Sequence, residues 1–404
     1  MDTHTHIDQS PEGNVRLCDD FDSATRSAAA GGTTTVICFA YQQPGTSLSS
    51  EVAAYHERAK AARIDYAFHL TITDPTDDLI ERELPELIAA GHRSIKIFMT
   101  YSGSRLSDAQ VLRVLAAARE HDALVCVHAE DDALIDHLTR QLLTEGKRAP
   151  KYFPLSKPAL GEAEAIRRIA TYAEVLETRV HIFHVSGAEA ATEIERAQQR
   201  GVALTAETCP QYLVFTAADL DRPGLEGAKV MFGPPPRSYA DHEALWRYMR
   251  RGVISVVSSD HAPARFDDPH GKKAGGEDAS FDRIPNGVPG IATRMRLLFS
   301  EGVSKGRITL NEFVALTSTQ PARLFGLHPR KGTIAIGSDA DLVLWDPKRE
   351  EPVVHSTLWD SNDYSPYESM RLVGVPLTTW VRGRKIFTDG QPAGGPGGGI
   401  YLPR

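Results

Sequence analysis

The sequence predicts an α/β protein built on a (β/α)8 barrel, with a small, incomplete β-sandwich at its C-terminal end. Three observations lead there: short β-branched or apolar runs alternate with longer helical patterns, eight such runs precede residue 325, and chemistry-bearing residues recur at their C-terminal ends. Alternation of this kind argues for parallel βαβ units over hairpins. Eight strands each followed by a helix is the count that closes a TIM-like barrel. A doubly wound open sheet is the competing arrangement.

The first strand is a stub at residues 1–4 that runs straight into His4. The others are expected at 33–39 (TTTVICF), 66–71, 94–98 (SIKIF), 123–128 (ALVCVH), 179–184 (RVHIFH), 202–206 and 254–258 (ISVVS). Two intervening helices carry clear end signals, 108–121 with Ser107 as N-cap and 188–200 closed by Gly201. Residues 309–326 read as one or two further helices. From Lys331 the texture changes to short strands and turns, GTIAIGSDADLVLWD and TTWVRGRKIFTDG, and PAGGPGGG reads as a flexible tail. The expected division is a barrel over 1–325, a small β-sandwich appendage over 326–390 and a Gly/Pro-rich tail over 391–404, with no internal repeat.

A chain of 404 residues with 41% hydrophobic and 24% charged content has the balance of a globular enzyme, not of a disordered or fibrous protein. Lys and Arg number 45 against 53 Asp and Glu, a formal charge of -8, and no basic block marks a footprint for nucleic acid or anionic lipid. A small-molecule partner is therefore expected. Cys18, Cys38, Cys126 and Cys209 are far apart and form no C-x-x-C pair, which suggests neither a disulfide framework nor a thiolate metal site and fits a cytoplasmic location. No apolar run reaches membrane-spanning length, and no charged-then-apolar leader is visible.

The strongest local signal is Asp2-Thr3-His4-Thr5-His6. Histidines at i and i+2 of a strand point to one face, so both imidazoles can reach one ion. By itself H-x-H says little among 15 histidines. Its force comes from Lys96, His128, His184 and Asp260, each within or at the C-terminal end of a different expected strand. On a barrel that face is where active sites are built. A histidine closing an apolar strand is more often a hydrogen-bonded structural residue than a ligand, and Asp260 in SSDHAP reads equally as a turn cap. Lys96 alone would read as a lysine snorkelling to water. Alternation instead turns it away from Ile95 and Ile97 and into the barrel, where a lone ammonium is costly unless something neutralises or modifies it. The coincidence of five strands carries the reading, not any one residue.

At these residues the chain resembles the hydantoinase/dihydropyrimidinase branch of the amidohydrolase superfamily. The likeness runs through DTHTHID, AAAGGTTTVI, KIFMTY, VCVHAED, HVSGAEA, ETCPQYL, SSDHAP, IPNGVPG, LTSTQPARLFGLHPRKGTIAIGSDADLVLWDP and DYSPYE. It implies that His4 and His6 bind the more buried of two divalent ions together with Asp260, that His128 and His184 bind the second, and that Lys96, carboxylated on its amine, bridges them. Two zinc ions about 3.5–4 Å apart would then supply hydroxide near neutral pH to attack the ring carbonyl of a cyclic amide. Asp260 would take the proton and return it to the departing ring nitrogen. Tyr101 matches the tyrosine that supports the developing oxyanion, and Asn286 the residue whose main chain holds the substrate's imide edge. Gly233 stands where relatives commonly have a serine that acts through its backbone.

Dihydroorotases usually show H-x-H-x-R, and Asp8 occupies that place here, which argues against dihydroorotate. Tyr101 favours the hydantoinase branch over an allantoinase-type ureide hydrolase. A non-catalytic dihydropyrimidinase-like scaffold would be expected to have lost ligands, and all six positions are kept. The exocyclic pocket is expected to be shaped by Phe39, Tyr41 and residues 152–157. Relatives carry a further segment before D-x-H-x-H that completes the small β-sandwich, so the strands near 333–345 and 378–387 are expected to show open edges. Ala292 stands where many relatives have an acidic residue. The resemblance also implies a homotetramer or homodimer.

Overall fold

The computed structural model describes residues 1–10 and 14–404. Eight parallel strands follow one another in chain order around a barrel. They are β1 (Asp2–Thr5), β2 (Thr35–Tyr41), β3 (Asp65–Thr71), β4 (Ser94–Phe98), β5 (Leu124–His128), β6 (Val180–Ile182), β7 (Leu204–Thr208) and β8 (Val256–Val257). The seam between first and last strand is drawn together by the Thr5–His261 bridge and by His6 N–H donating to the His261 carbonyl at 2.8 Å. Asp2 adds to the seam: its Oδ1 accepts from Ser259 N–H at 3.0 Å, and its Oδ2 lies 3.3 Å from buried Arg294. The same residues that open the chain therefore fix the segment that carries Asp260.

Strand boundaries differ from expectation where glycines or functional turns intervene. β2 starts at Thr35 because Gly31 and Gly32 turn the chain, with Gly32 at φ +81°. The sixth strand, expected to reach residue 184, ends at Ile182, since His184 takes a left-handed φ of 39°. The seventh runs to Thr208, two residues past the expected end at 206, and so places Glu207 inside the barrel. The helix Asp108–Glu120 has its Ser107–Gln110 capping box, and Ala188–Gln199 matches its expected span. Residues 310–324 are helical throughout, capped by Thr309 and Glu312. Among the described residues no helix is long and apolar enough to cross a membrane.

Beyond the barrel, β9 (Leu342–Pro352), β10 (Arg371–Val381), β11 (Arg384–Thr388) and β12 (Gln391–Pro392) form an antiparallel sheet in the order β12-β11-β10-β9. It docks on the barrel through the Phe299–Trp345 ring contact, centroids 5.2 Å apart, and through Ser300 Oγ, which accepts from Val373 N–H at 3.1 Å. On β9, Leu342 and Leu344 are exposed, as are Ile334 and Ile336 just before it.

The C-terminal residues, expected as a flexible tail, run back along the barrel instead. Tyr66 N–H donates to the Ile400 carbonyl at 3.0 Å, Leu402 N–H to the Tyr66 carbonyl at 2.8 Å and Arg404 N–H to the Gly91 carbonyl at 3.1 Å, and Leu402 is fully buried. The glycines that suggested flexibility serve close approach: a Cβ at Gly399 would lie 1.9 Å from the Ile64 carbonyl oxygen.

Candidate metal centre

His4 and His6 emerge on one face at the C-terminal end of β1, with ring centroids 5.5 Å apart. Asp260, just past β8, faces both: its Oδ1 is 3.0 Å from His4 Nε2 and 3.3 Å from His6 Nε2. The three offer ligand atoms that all lie within 4.8 Å of one another. His4 Nδ1–H donates to Glu207 Oε1 at 2.5 Å, which fixes its tautomer and leaves Nε2 for an ion. His6 Nδ1 is held in the same way by Gln9 Oε1 at 2.8 Å. Two imidazoles and a carboxylate, each imidazole oriented by an outer partner, suit a divalent ion.

Beside this trio, His128 at the end of β5 and His184 beyond β6 bring their rings to 4.3 Å centroid separation. His128 Nε2–H donates to Glu130 Oε2 at 2.7 Å, whereas His184 Nδ1 is buried with no hydrogen-bond partner. A buried ring nitrogen with no hydrogen-bond partner is chemically suited to ligate an ion. Lys96, in β4, points inward and is 1% exposed. Its Nζ lies 4.2, 4.5 and 5.7 Å from the ring centroids of Phe183, Phe98 and Phe39, and among the described residues no carboxylate comes within ion-pair distance.

Electrostatics follow from this burial. Desolvation brings the Lys96 amine down to about 7 and the His128 imidazole down to about 4, and it holds His184 well below the ordinary imidazole range. Neutral imidazoles are the form that ligates. Burial alone would raise the Asp260 carboxyl, but the charge of His4 and the hydrogen bonds of His4 and His6 hold it well below the usual carboxylate range.

The substrate-facing side is built by Tyr101, Gly233 and Asn286. Gly233 is explained by Tyr101: a Cβ there would lie 2.4 Å from the phenol oxygen. Asn286 lines the same cleft, and its Oδ1 is a buried acceptor with no hydrogen-bond partner. Tyr101, His184 and Asp260 all take positive φ, at 74°, 39° and 49°. For non-glycine residues such backbones are uncommon, and they cluster where geometry serves a ligand.

All nine expected site residues, His4, His6, Lys96, Tyr101, His128, His184, Gly233, Asp260 and Asn286, line one cleft of about 390 Å³. Tyr41 lines it as expected, but Phe39 lies beneath the imidazoles, 4.6 Å from the His6 ring. Val15, Leu17, Ile284 and Pro285 supply the apolar wall in place of residues 152–157. Glu207, Glu130, Gln9 and Lys272 were not legible as site residues in the sequence, and Lys157 is expected only within the pocket-shaping stretch 152–157, not as a partner of Glu130. Fully buried Lys272 donates to the carbonyls of Pro285, Gly287 and Met231 at 2.7, 2.6 and 3.2 Å, and so pins the loop on both sides of Asn286. Glu130 and Glu207 stand within motifs already singled out, VCVHAED and ETCPQYL, and a carboxylate two residues past a candidate ligand was the available signal for the former.

Comparison with known proteins points to a single family. The amidohydrolase family model matches residues 1–386. The chain is 43% identical to a D-hydantoinase of Rhizobium radiobacter over 406 aligned residues, covering 100% of this chain and 87% of the relative, and 43% identical to one of Geobacillus stearothermophilus, covering 100% and 85%. The crystal structure of a dihydropyrimidinase from Brevibacillus agri superposes with a TM-score of 0.96 at 40% identity, covering all of this chain and 87% of that one. With barrel, cleft and similarity in accord over its whole length, the chain belongs to the amidohydrolase family, in its hydantoinase/dihydropyrimidinase branch.

Proposed function

We propose that the protein hydrolyses a cyclic amide, opening a hydantoin or dihydropyrimidine ring to an N-carbamoyl amino acid, with two divalent ions, zinc by preference, as cofactor. The observation that carries this is the adjacency of the His4–His6–Asp260 trio to the His128–His184 pair, with Lys96 buried beside them and lacking a counter-ion. Two imidazoles alone make a poor second site. A carboxylate added to the Lys96 amine by carbon dioxide supplies a shared anionic oxygen and removes the cost of a buried ammonium. Divalent ions held by these residues would lower the pKa of a bound water and so supply a hydroxide nucleophile.

The chain's own residues do the rest. The main chain at Asn286 and the backbone at Gly233 hold the imide edge of the ring. Tyr101 donates its phenol hydrogen to the carbonyl oxygen as negative charge gathers there, an interaction worth about 2.7–4 kcal/mol in comparable sites. Asp260 accepts the proton of the attacking water as the new C–O bond forms, then gives it to the ring nitrogen as the C–N bond breaks. The ring carbonyl leaves as a carboxylate and the ring nitrogen as part of the carbamoyl group. Val15, Leu17 and Ile284 face the substituent on the ring. The family likeness points to a homotetramer or homodimer, and the scattered, unpaired cysteines fit a cytoplasmic location.

Metal content and ring opening of a 5-substituted hydantoin and of dihydrouracil test this reading together. Wild type should hold two ions per chain. Lys96→Ala should lose metal and activity, and excess bicarbonate or a short carboxylic acid should restore part of both. Full metal loading in Lys96→Ala without added acid would show that the bridge is wrong.

A further inference from the structure

Two parts of the cleft meet at one buried cation behind it. Lys157 sits between the helices Phe153–Ser156 and Ala159–Leu176 and is 5% exposed. Its ammonium donates to Glu130 Oε2 at 2.7 Å, and that same oxygen accepts from His128 Nε2–H at 2.7 Å. On its other side the ammonium stands 4.8 Å from the centroid of the Tyr101 ring. The backbone is held as well: Arg237 donates to the Lys157 carbonyl and is itself braced by Ser186 Oγ at 2.8 Å and Glu162 Oε2 at 2.9 Å.

We propose that Lys157 is a positioning residue of the ring-opening reaction, its ammonium coupling the phenol of Tyr101 to the imidazole of His128 through Glu130. The proposal rests on the functional reading above. Two physical effects carry it. Through Glu130, Lys157 determines which way His128 faces: with Nε2–H committed to the carboxylate, Nδ1 is left for the cleft, and outer partners of this kind fix ligand orientation. Without the cation, Glu130 loses its buried partner and is no longer held against His128. Across the Tyr101 ring, the cation is drawn to the π face and so holds the ring in place. The positive charge also favours negative charge gathering around the phenol, which makes its O–H a better donor when an oxyanion forms.

Lys157→Met keeps the aliphatic stem and removes the charge. Metal retained after dialysis against graded chelator is compared between wild type and variant, alongside steady-state kinetics and the unfolding midpoint of the metal-stripped protein. The expected result is a loss of metal affinity of roughly 10–100-fold. A fall in kcat larger than the rise in KM should accompany it, because the Tyr101 interaction strengthens in the transition state. Lys157→Arg, which keeps the charge, should recover much of both. Chelator curves and kcat that match wild type, with only the midpoint of the stripped protein lowered, would reduce Lys157 to a packing residue and overturn the proposal. Should Lys157→Met fail to fold, Glu130→Gln weakens the same link by removing its negative charge with the cation in place, and a wild-type chelator curve for it is equally fatal. Wild-type protein that takes up no metal sinks the functional reading and this proposal with it; wild-type loading with an unaffected Lys157→Met sinks this proposal alone.

Discussion

The His4 imidazole donates its Nδ1 hydrogen to Glu207 across the interior of the barrel, 203 residues away in sequence, at 2.5 Å. Burial alone would raise the Glu207 carboxyl, yet the adjacent His4, with its hydrogen bond, and His181, whose Nε2 lies 3.5 Å away, bring it down to about 2. Glu207 is therefore an anion set behind a metal ligand. Glu207→Gln keeps the shape and an acceptor but not the charge, so the ring is held less firmly and is a weaker donor to an ion. Metal affinity of the His4–His6–Asp260 site should fall roughly 10–100-fold in chelator competition. An unchanged affinity would assign Glu207 to barrel packing only.

Gly233 and Tyr101 share a space that has no room for a methyl group. Gly233→Ala should fold normally, because the atom in its way is the mobile end of a side chain, but the phenol must swing out of position. We expect kcat to fall at least ~10-fold, short of the 10²–10³-fold loss expected for Tyr101→Phe. The double variant should lose no more than Tyr101→Phe, since both changes remove one interaction. Additive losses would show that Gly233 acts elsewhere.

Lys272 should act on binding more than on turnover. Two of its carbonyl partners, Pro285 and Gly287, flank Asn286 in its loop, and the third, Met231, stands two residues before Gly233; a buried acceptor left without its donor costs about 1–3 kcal/mol. Lys272→Met should raise KM roughly 10-fold or more while changing kcat less. A fall confined to kcat would place the loop's role in the chemical step.

Asp360 offers a pH test away from the cleft. Burial, with Asp19 nearby, raises its carboxyl from 3.8 to about 6. The folded pKa lies above the unfolded one, so the unfolded chain ionises first as pH rises. Stability is therefore lost between about pH 4 and 6 and stays lower above that window. Asp360→Asn removes this loss. At pH 8 it should be more stable than wild type by roughly 2 kcal/mol, and the gap should close on acidification below about pH 4. Denaturant unfolding at the two pH values measures it, and a gap independent of pH would mean that ionisation of Asp360 is not its cause.

The local pattern of residues was enough to number the barrel strands and to gather His4, His6, Lys96, His128, His184 and Asp260 on one rim. A side chain's face is a two-residue periodicity, and a strand's C-terminal end is marked by where its apolar run stops, so both are written over a few neighbouring positions. Tyr101, Gly233 and Asn286 were legible only through resemblance, because they lie in loops where no period operates. The tertiary structure decided what no short window contains: that Thr5 meets His261 to draw the barrel together, that Glu207 backs His4, that Lys157 joins Glu130 to Tyr101, and that the glycine-rich C-terminal residues lie against β3. Those contacts join positions tens to hundreds of residues apart. A buried carboxylate or lysine is specified by whichever groups folding brings within hydrogen-bond reach, and that distance exists only once the chain has closed on itself.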